Sequence, residues 1–135
     1  MRSVLIDTGP LVALLNRREA RHRDCHDLFK SQSPRWITSE AVLTESLHFL
    51  PTLEYKLMAL ELVHSGVVKM LPTGLEGLER ISALMRRYAD VPMDYADATL
   101  VDLADQMDVD EVFTLDRRGF HTYLVRGKKP FRLLP

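Results

Sequence analysis

Short apolar runs alternate along the chain with longer amphipathic segments, and this alternation predicts strands separated by helices. The β-type runs lie at 4–6, 36–38, 67–71 and 111–115, with weaker candidates at 123–125 and 131–134. Apolar residues at helical spacing fill the segments between these runs, as Leu78, Ile81 and Tyr88 illustrate. The pattern predicts an α/β fold in which helices flank a central, mostly parallel sheet.

Residues that begin or end helices sharpen this prediction. Ser39 is the expected N-cap of a helix that Pro51 stops, and an apolar stretch at 11–15 follows the first run. The predicted helical segments are 19–31, 40–50, 54–64, 78–88 and 93–107. No internal repeat or linker-like composition interrupts the chain, so we expect one domain over residues 1–135.

Composition narrows the class of protein. The chain has 135 residues, of which 46% are hydrophobic and 27% charged, and this balance excludes a disordered chain. The single cysteine, Cys25, excludes a disulfide framework and a multi-cysteine zinc site. No apolar run approaches the roughly 20 residues that a membrane span needs. Asp7 interrupts the first apolar run too soon for a signal peptide, so a soluble, cytoplasmic domain is expected.

Charge is unevenly distributed, although the net charge is only −1. Residues 90–116 carry nine acids and no lysine or arginine, whereas residues 117–135 carry six basic residues and no acid. Such a pair of blocks indicates either a cation site beside a polyanion track or two solvated faces that neutralise each other. On charge alone the second interpretation is favoured.

Acidic residues stand where predicted elements begin or end. Asp7 follows the first strand directly, and Asp116 follows the strand at 111–115. Asp94 and Asp97 lie three residues apart at a helix start, and Glu45 lies one turn inside the helix after the second strand. Ligands of open parallel sheets bind outside the carboxyl ends of the strands, so these acids are candidates for one site.

Grouped carboxylates imply a cation, because they repel one another and raise each other's pKa unless positive charge neutralises them. Oxygen ligands without a thiolate favour Mg²⁺ or Mn²⁺ over zinc. Such ions activate water and stabilise charge on a phosphodiester. The cluster therefore predicts metal-dependent phosphodiester hydrolysis without a covalent enzyme intermediate.

Each acid also has a purely structural explanation. Asp7 and Asp94 are good helix caps, Asp97 suits the positive first turn of a helix, and Asp116 suits a turn. Glu45 is harder to explain in this way, because its helix face is apolar and a buried glutamate needs a partner. No single acid identifies a site, but four at element ends favour one.

Four stretches of sequence carry a family resemblance. They are LIDTGPLVAL at 5–14, TSEAVLTE at 38–45, MDYADATLV at 93–101 and VFTLDRRGF at 112–120. Together, and in this order, they resemble the PIN-domain endoribonucleases, in particular the VapC-like toxins of bacterial and archaeal toxin–antitoxin pairs. No single stretch is specific, but the four span most of the chain.

The resemblance implies a set of site residues and a cofactor, Mg²⁺ or Mn²⁺. The catalytic metal ligands it implies are Asp7, Glu45, Asp97 and Asp116, with Asp94 as a further metal ligand. Thr8 and Thr114 resemble hydroxyl residues that orient such carboxylates. Many relatives carry an acid where this chain has Gly119, and that departure removes one possible outer ligand.

The resemblance also implies partners: an RNA substrate, a second copy of the chain and a small antitoxin protein that covers the site. The residues predicted to contact RNA are Arg117, Arg118, Lys128 and Lys129, for which a solvated surface is the alternative. Such phosphate contacts give affinity without sequence choice, so RNA rather than DNA follows from the resemblance alone. Exposed apolar residues on the helix at 54–64 are a candidate dimer surface.

Other functions remain alternatives. The fold and acids could serve a catalytically silent module that binds RNA or protein, or a phosphatase of small phosphoesters. The Asp7-Thr8-Gly9 tripeptide also occurs in retroviral-type aspartic proteases, but those are all-β proteins. A dehalogenase-type phosphatase needs a second aspartate where Gly9 stands.

Histidines offer weaker signals. His22 and His26 flank Cys25 at a spacing that a transition metal could use, but a solvated helix face is favoured. His121 is a possible phosphate contact beside the basic tail.

Overall fold

A parallel sheet organises the chain in the computed structural model, which describes residues 1–135. Its strands are β1 (Ser3–Ile6), β2 (Arg35–Ser39), β3 (Val68–Leu71), β4 (Glu111–Phe113) and β7 (Arg132–Leu134). They lie in the order β3-β2-β1-β4-β7, and every neighbouring pair is parallel. A short antiparallel pair, β5 (Leu124–Val125) and β6 (Lys129–Pro130), stands apart. The predicted α/β class with a parallel sheet is confirmed.

Seven helices connect and cover the strands. They are α1 (Thr8–Leu15), α2 (His22–Ser31), α3 (Glu40–Phe49), α4 (Leu53–His64), α5 (Gly74–Arg87), α6 (Tyr95–Met107) and α7 (Arg117–Thr122). None of them is both long enough and apolar enough to cross a bilayer.

The core consists of two layers, one on each face of the sheet. Leu5 packs with α5, α6 and Phe120 on one face, whereas Val4 and Ile6 pack with α1, α2 and Trp36 on the other. Strand β1 is therefore buried on both faces, which is why it reads as a continuous apolar run instead of an alternating one.

The strand order reverses next to β1. From β1 the chain proceeds outward through β2 to β3, then returns to place β4 on the opposite side of β1. The carboxyl ends of β1 and β4 therefore meet at a topological switch point, where open α/β sheets form their ligand sites. Asp7 and Asp116 follow these two strands.

Two elements near β4 differ from the sequence prediction. Strand β4 ends at Phe113 instead of residue 115, because Thr114 turns the chain by accepting a hydrogen bond from the Asp116 N–H. Helix α7 was not predicted at all, since its Arg117-Arg118-Gly119 start has no apolar periodicity. The Asp116 side chain begins this helix by accepting from the Gly119 N–H at 3.2 Å.

Buried hydroxyls hold α3 and α6 against the sheet. Ser39 caps α3 as predicted, because its Oγ accepts from the Val42 N–H at 3.2 Å. Thr99 donates its hydroxyl proton to the Ala96 carbonyl and lies 2.7 Å from Ser39 Oγ, so Ser39 is the donor between them. Ser39 thereby joins α3, which carries Glu45, to α6, which carries Asp97 in its first turn.

Replacing Ser39 tests the importance of this junction. Ser39→Ala removes the cap of α3 and leaves Thr99 without its donor, so we expect a loss of about 1–2 kcal/mol in the free energy of unfolding. Chemical denaturation measures the change. Thr73→Ala is the matched control, because Thr73 stands at the N-cap of α5 without a side-chain cap bond. Equal losses in both variants would contradict the interpretation.

Candidate active site

An open cleft of about 440 Å³ lies at the switch point between β1 and β4. The structure brings all five predicted carboxylates to its walls: Asp7, Glu45, Asp94, Asp97 and Asp116. They arrive from four places in the fold, namely the end of β1, the middle of α3, the start of α6 and the turn after β4. Residues far apart in the sequence thus share one cavity.

Asp7 is the most buried of these acids, with 7% of its surface exposed. Its Oδ1 accepts from the Thr8 N–H at 2.8 Å and its Oδ2 from the Thr114 hydroxyl at 2.8 Å. Thr114 also accepts from the Asp116 N–H at 2.9 Å. One threonine hydroxyl therefore contacts both the carboxylate of Asp7 and the backbone of Asp116, the two acids that follow β1 and β4.

Asp94 and Asp97 occupy the start of α6. Asp94 caps the helix by accepting from the Asp97 N–H at 2.8 Å, so its structural explanation holds while its side chain also lines the cleft. Asp97 accepts from the Tyr123 hydroxyl at 3.1 Å. Tyr123 was missed by the sequence analysis, because nothing in the local pattern indicates that residue 123 reaches α6.

Burial and neighbouring negative charges raise the pKa values of the most buried acids of the cleft. Burial first, and then the charges of Glu45 and Asp116, raise the pKa of Asp7 to about 6, against the hydrogen bonds from Thr114 and Thr8, which lower it. Burial and then the charges of Asp7 and Asp94 raise the pKa of Asp97 to about 7. Burial and the Asp97 charge raise the pKa of Tyr123, so the phenol stays a donor. Positive charge in the cleft would stabilise the ionised acids.

The side chains that line the cleft offer the type of donor atom that a hard divalent cation prefers. Its candidate donors are all oxygens, the set that Mg²⁺ and Mn²⁺ prefer. Thr8 Oγ1 is buried beside Asp7 without any hydrogen-bond partner, so a polar ligand in the cleft would satisfy a group that the protein leaves unpaired. As placed, no three of the chain's acids, histidines or cysteines are close enough to share one ion. The acids thus surround the cleft without enclosing a preformed cage.

The predicted basic contacts divide between two places. Arg117 and Arg118 are exposed on α7 directly after Asp116, and Arg117 donates to the Pro135 carbonyl at 3.1 Å. Lys129 pairs with Asp110 at 3.4 Å, at the amino end of β4, and Lys128 precedes it in the β5–β6 turn. The structure therefore does not bring the two lysines to the carboxylates.

Arg21 is a basic residue of the cleft wall that the sequence analysis missed. It lies in the connection between α1 and α2, which also carries Arg17 and Arg18. This local cluster of arginines was the available signal, but only the fold shows that the connection returns to the acids.

The histidine alternatives have structural explanations. His22 Nδ1 lies 2.8 Å from the Ala13 carbonyl, within hydrogen-bond distance. Cys25 is fully buried in the core, and His26 faces Asp27 at 3.7 Å. The three residues do not form a metal site.

Part of the acidic block is neutralised by the basic tail and part is not. Asp110 pairs with Arg132 at 3.0 Å as well as with Lys129, and Asp105 accepts from the Arg126 N–H. The acids of the cleft have no such basic partner within the chain's ion pairs. The neutralising interpretation of the charge pattern thus describes part of the block, and the acids of the cleft lie outside that part.

Comparisons with known proteins place this cleft in context. The model of the PIN domain matches residues 4–123. Ribonuclease VapC26 of Mycobacterium tuberculosis is 26% identical over 135 residues, which cover 98% of this chain and all of that protein.

Two solved structures share the fold. VapC20 of Mycobacterium tuberculosis, a toxin described as cleaving the sarcin–ricin loop, matches with a TM-score of 0.81 and 21% identity over 94% of this chain and 99% of that chain. VapBC2 of Rickettsia felis, solved with a DNA fragment from its promoter, matches with a TM-score of 0.67 and 12% identity over 98% and 99% of the two chains.

The raised pKa values predict how stability depends on pH. The pKa values of Asp7 and Asp97 in the folded protein lie above the ordinary aspartate pKa of 3.8, which applies to the unfolded chain. Between roughly pH 4 and pH 7 the folded state therefore binds more protons than the unfolded state. Stability of the cation-free protein is therefore expected to fall as pH rises through that window. Asp97→Asn removes one of these charges but keeps an acceptor for Tyr123. We expect it to reduce the loss of unfolding free energy across this pH range by on the order of 1–2 kcal/mol.

Thermal unfolding in chelator across this pH range measures the effect. Asp27→Asn, which neutralises an exposed acid on α2, is expected to keep the parent's slope. If the stability of Asp97→Asn depended on pH as steeply as that of the parent, the claim that Asp97 has a raised pKa in the cleft would be contradicted.

Proposed function

The chain belongs to the PIN-domain family, and from that premise we propose that it is a divalent-metal-dependent endoribonuclease, the toxin of a toxin–antitoxin pair. The observation that carries the proposal is the convergence of five carboxylates on one cleft at the switch point of the sheet. RNA as the substrate is supported by the relative named a ribonuclease, which is aligned over 98% of this chain.

Asp7, Glu45, Asp97 and Asp116 are the proposed ligands of Mg²⁺ or Mn²⁺, with Asp94 as a further one. A bound cation of this class supplies Lewis-acid stabilisation of negative charge on the phosphodiester. The chain's own contribution is orientation: Thr114 and the Thr8 N–H hold both oxygens of Asp7, and Thr114 sets Asp116 beside it. Thr8 Oγ1, buried beside Asp7, has no hydrogen-bond partner within the protein.

Arginines of two segments are the proposed phosphate contacts. Arg21 lines the cleft, and Arg117 and Arg118 follow Asp116 directly in the chain, on α7. A strand of RNA that reaches the carboxylates would bring its phosphates near these guanidinium groups. Lys128 and Lys129 lie outside this track, because the β5–β6 turn carries them toward the amino end of β4.

Partners follow from the family and from exposed apolar side chains. We propose a homodimer, together with an antitoxin protein that covers the cleft. Phe49 is 59% exposed at the cleft, and on the neighbouring α4 Leu53 and Leu57 are 70% and 53% exposed, so this surface offers apolar area to a partner. Light scattering of the purified chain is expected to give twice 15.5 kDa. Action on RNA would take place in the cytoplasm.

Cleavage of a total-RNA pool tests the function. The purified, antitoxin-free chain is expected to produce discrete fragments with Mg²⁺ or Mn²⁺ and none in chelator. Asp97→Asn is expected to lower the rate by roughly 100-fold or more, because a ligand of the cation is lost. Asp27→Asn is the matched control and keeps the rate.

Two outcomes would favour the alternatives. Intact RNA with protein shown to be folded and supplied with either metal would support a silent binding module. Turnover of a generic phosphoester without RNA cleavage would support a phosphatase.

The arginine track makes a separate prediction about affinity. Arg21→Ala is expected to weaken RNA binding several-fold. The slope of log K against log salt concentration is expected to decrease by the amount that about one phosphate contact contributes. Arg35→Ala is the matched control, since Arg35 begins β2 at the opposite edge of the sheet and contacts Ser3 Oγ. Filter binding of the Asp97→Asn background at several salt concentrations separates affinity from cleavage. Equal losses of RNA affinity in Arg21→Ala and Arg35→Ala would contradict the proposed role of Arg21 as a phosphate contact.

A further inference from the structure

We propose that Tyr123 is a positioning residue for the Asp97 carboxylate, and that Gly119 keeps open the space in which the Tyr123 hydroxyl lies. The inference rests on the proposed function, because it concerns a cation at the same cleft. It assigns a role to a tyrosine that no sequence motif indicated and to a glycine that packs beside Asp116.

Aromatic packing fixes the ring of Tyr123. The residue ends α7 and is 1% exposed. Its ring meets Tyr88 edge-on with centroids 5.1 Å apart and Phe120 edge-on at 5.2 Å. The Tyr123 hydroxyl therefore has a defined position instead of a choice of rotamers.

That hydroxyl is the only side-chain or backbone donor of the protein that reaches the Asp97 carboxylate. It donates to Oδ2 at 3.1 Å, which leaves Oδ1 without a protein partner. A neutral donor orients the carboxylate and keeps its negative charge, whereas an arginine or lysine in this place would neutralise it. Hydrogen bonds of this kind to metal ligands influence how well the ligands bind the ion.

Gly119 leaves space beside two polar groups, and its backbone conformation is one that other residues adopt. A Cβ at this position would lie 2.5 Å from Asp116 Oδ2 and 3.1 Å from the Tyr123 hydroxyl oxygen. The Gly119 N–H meanwhile donates to Asp116 Oδ1. The carboxylate of Asp116 and the phenol that bonds Asp97 thus converge on a residue that has no side chain.

Manganese binding tests the inference without relying on catalysis. Mn²⁺ is titrated calorimetrically into the full chain after removal of metal. Tyr123→Phe keeps the ring and removes only the hydroxyl, so we expect its Kd for Mn²⁺ to rise by roughly 10-fold. Tyr88→Phe is the matched control: it removes a hydroxyl from the neighbouring ring that bonds the backbone and no carboxylate, and its Kd is expected to equal that of the parent.

A second variant approaches the same contact from the other side. Gly119→Ala is expected to weaken Mn²⁺ binding, and its effect is expected to be less than additive with Tyr123→Phe, because both changes act on one arrangement of carboxylates. Circular dichroism confirms that each variant is folded.

The outcomes separate this inference from the proposed function. Weakened Mn²⁺ binding in Tyr123→Phe alone supports the inference, even if the parent leaves RNA intact and the nuclease proposal fails. Unchanged Mn²⁺ binding in folded Tyr123→Phe overturns it, even if the parent cleaves RNA. Equal weakening in Tyr88→Phe, or no Mn²⁺ binding by the parent, also overturns it.

Discussion

Repulsion among carboxylates at one edge of the sheet is the constraint on which this structure depends. The fold handles its acids in two ways. Away from the cleft it pairs them with basic residues, as in Asp102 with Arg80 at 2.7 Å and Glu111 with Arg2 at 2.8 Å. In the cleft it uses neutral donors: the hydroxyls of Thr114 and Tyr123 and the N–H groups of residues 8, 97 and 119. Neutral donors orient acids without cancelling the charge that a cation needs.

The fold was largely predictable because its signals are local. Strand β1 is buried on both faces and reads as an apolar run, and Ser39 has the chemistry of a cap where α3 begins. The missed helix α7 depends on Asp116 as its cap and on Phe120 as its one large buried anchor, too little for periodicity to detect. The short β5–β6 pair has only two residues in each strand and leaves a similarly weak pattern.

The site was predictable where the chemistry stands at an element's end. Asp7 and Asp116 follow strands whose neighbours could be inferred, whereas the Asp97–Tyr123 contact joins residues 26 positions apart by packing that no pattern reveals. Adjacency in sequence also misled: Lys129 lies only 11 residues beyond Arg118, yet a tight turn takes it to Asp110 at the other end of β4. Arg21 reaches the cleft because the connection after α1 returns to it.

The proposal that these carboxylates form one cation site can be tested by locating the ion. Crystals of the chain soaked in Mn²⁺ and measured at the manganese absorption edge test it directly, because anomalous scattering locates the ion independently of any activity. We expect an anomalous peak in the cleft, within coordination distance of Asp7 and Asp97 oxygens. A cleft without a peak, or manganese found only beside Asp110 and Glu111 at the opposite edge, would contradict it.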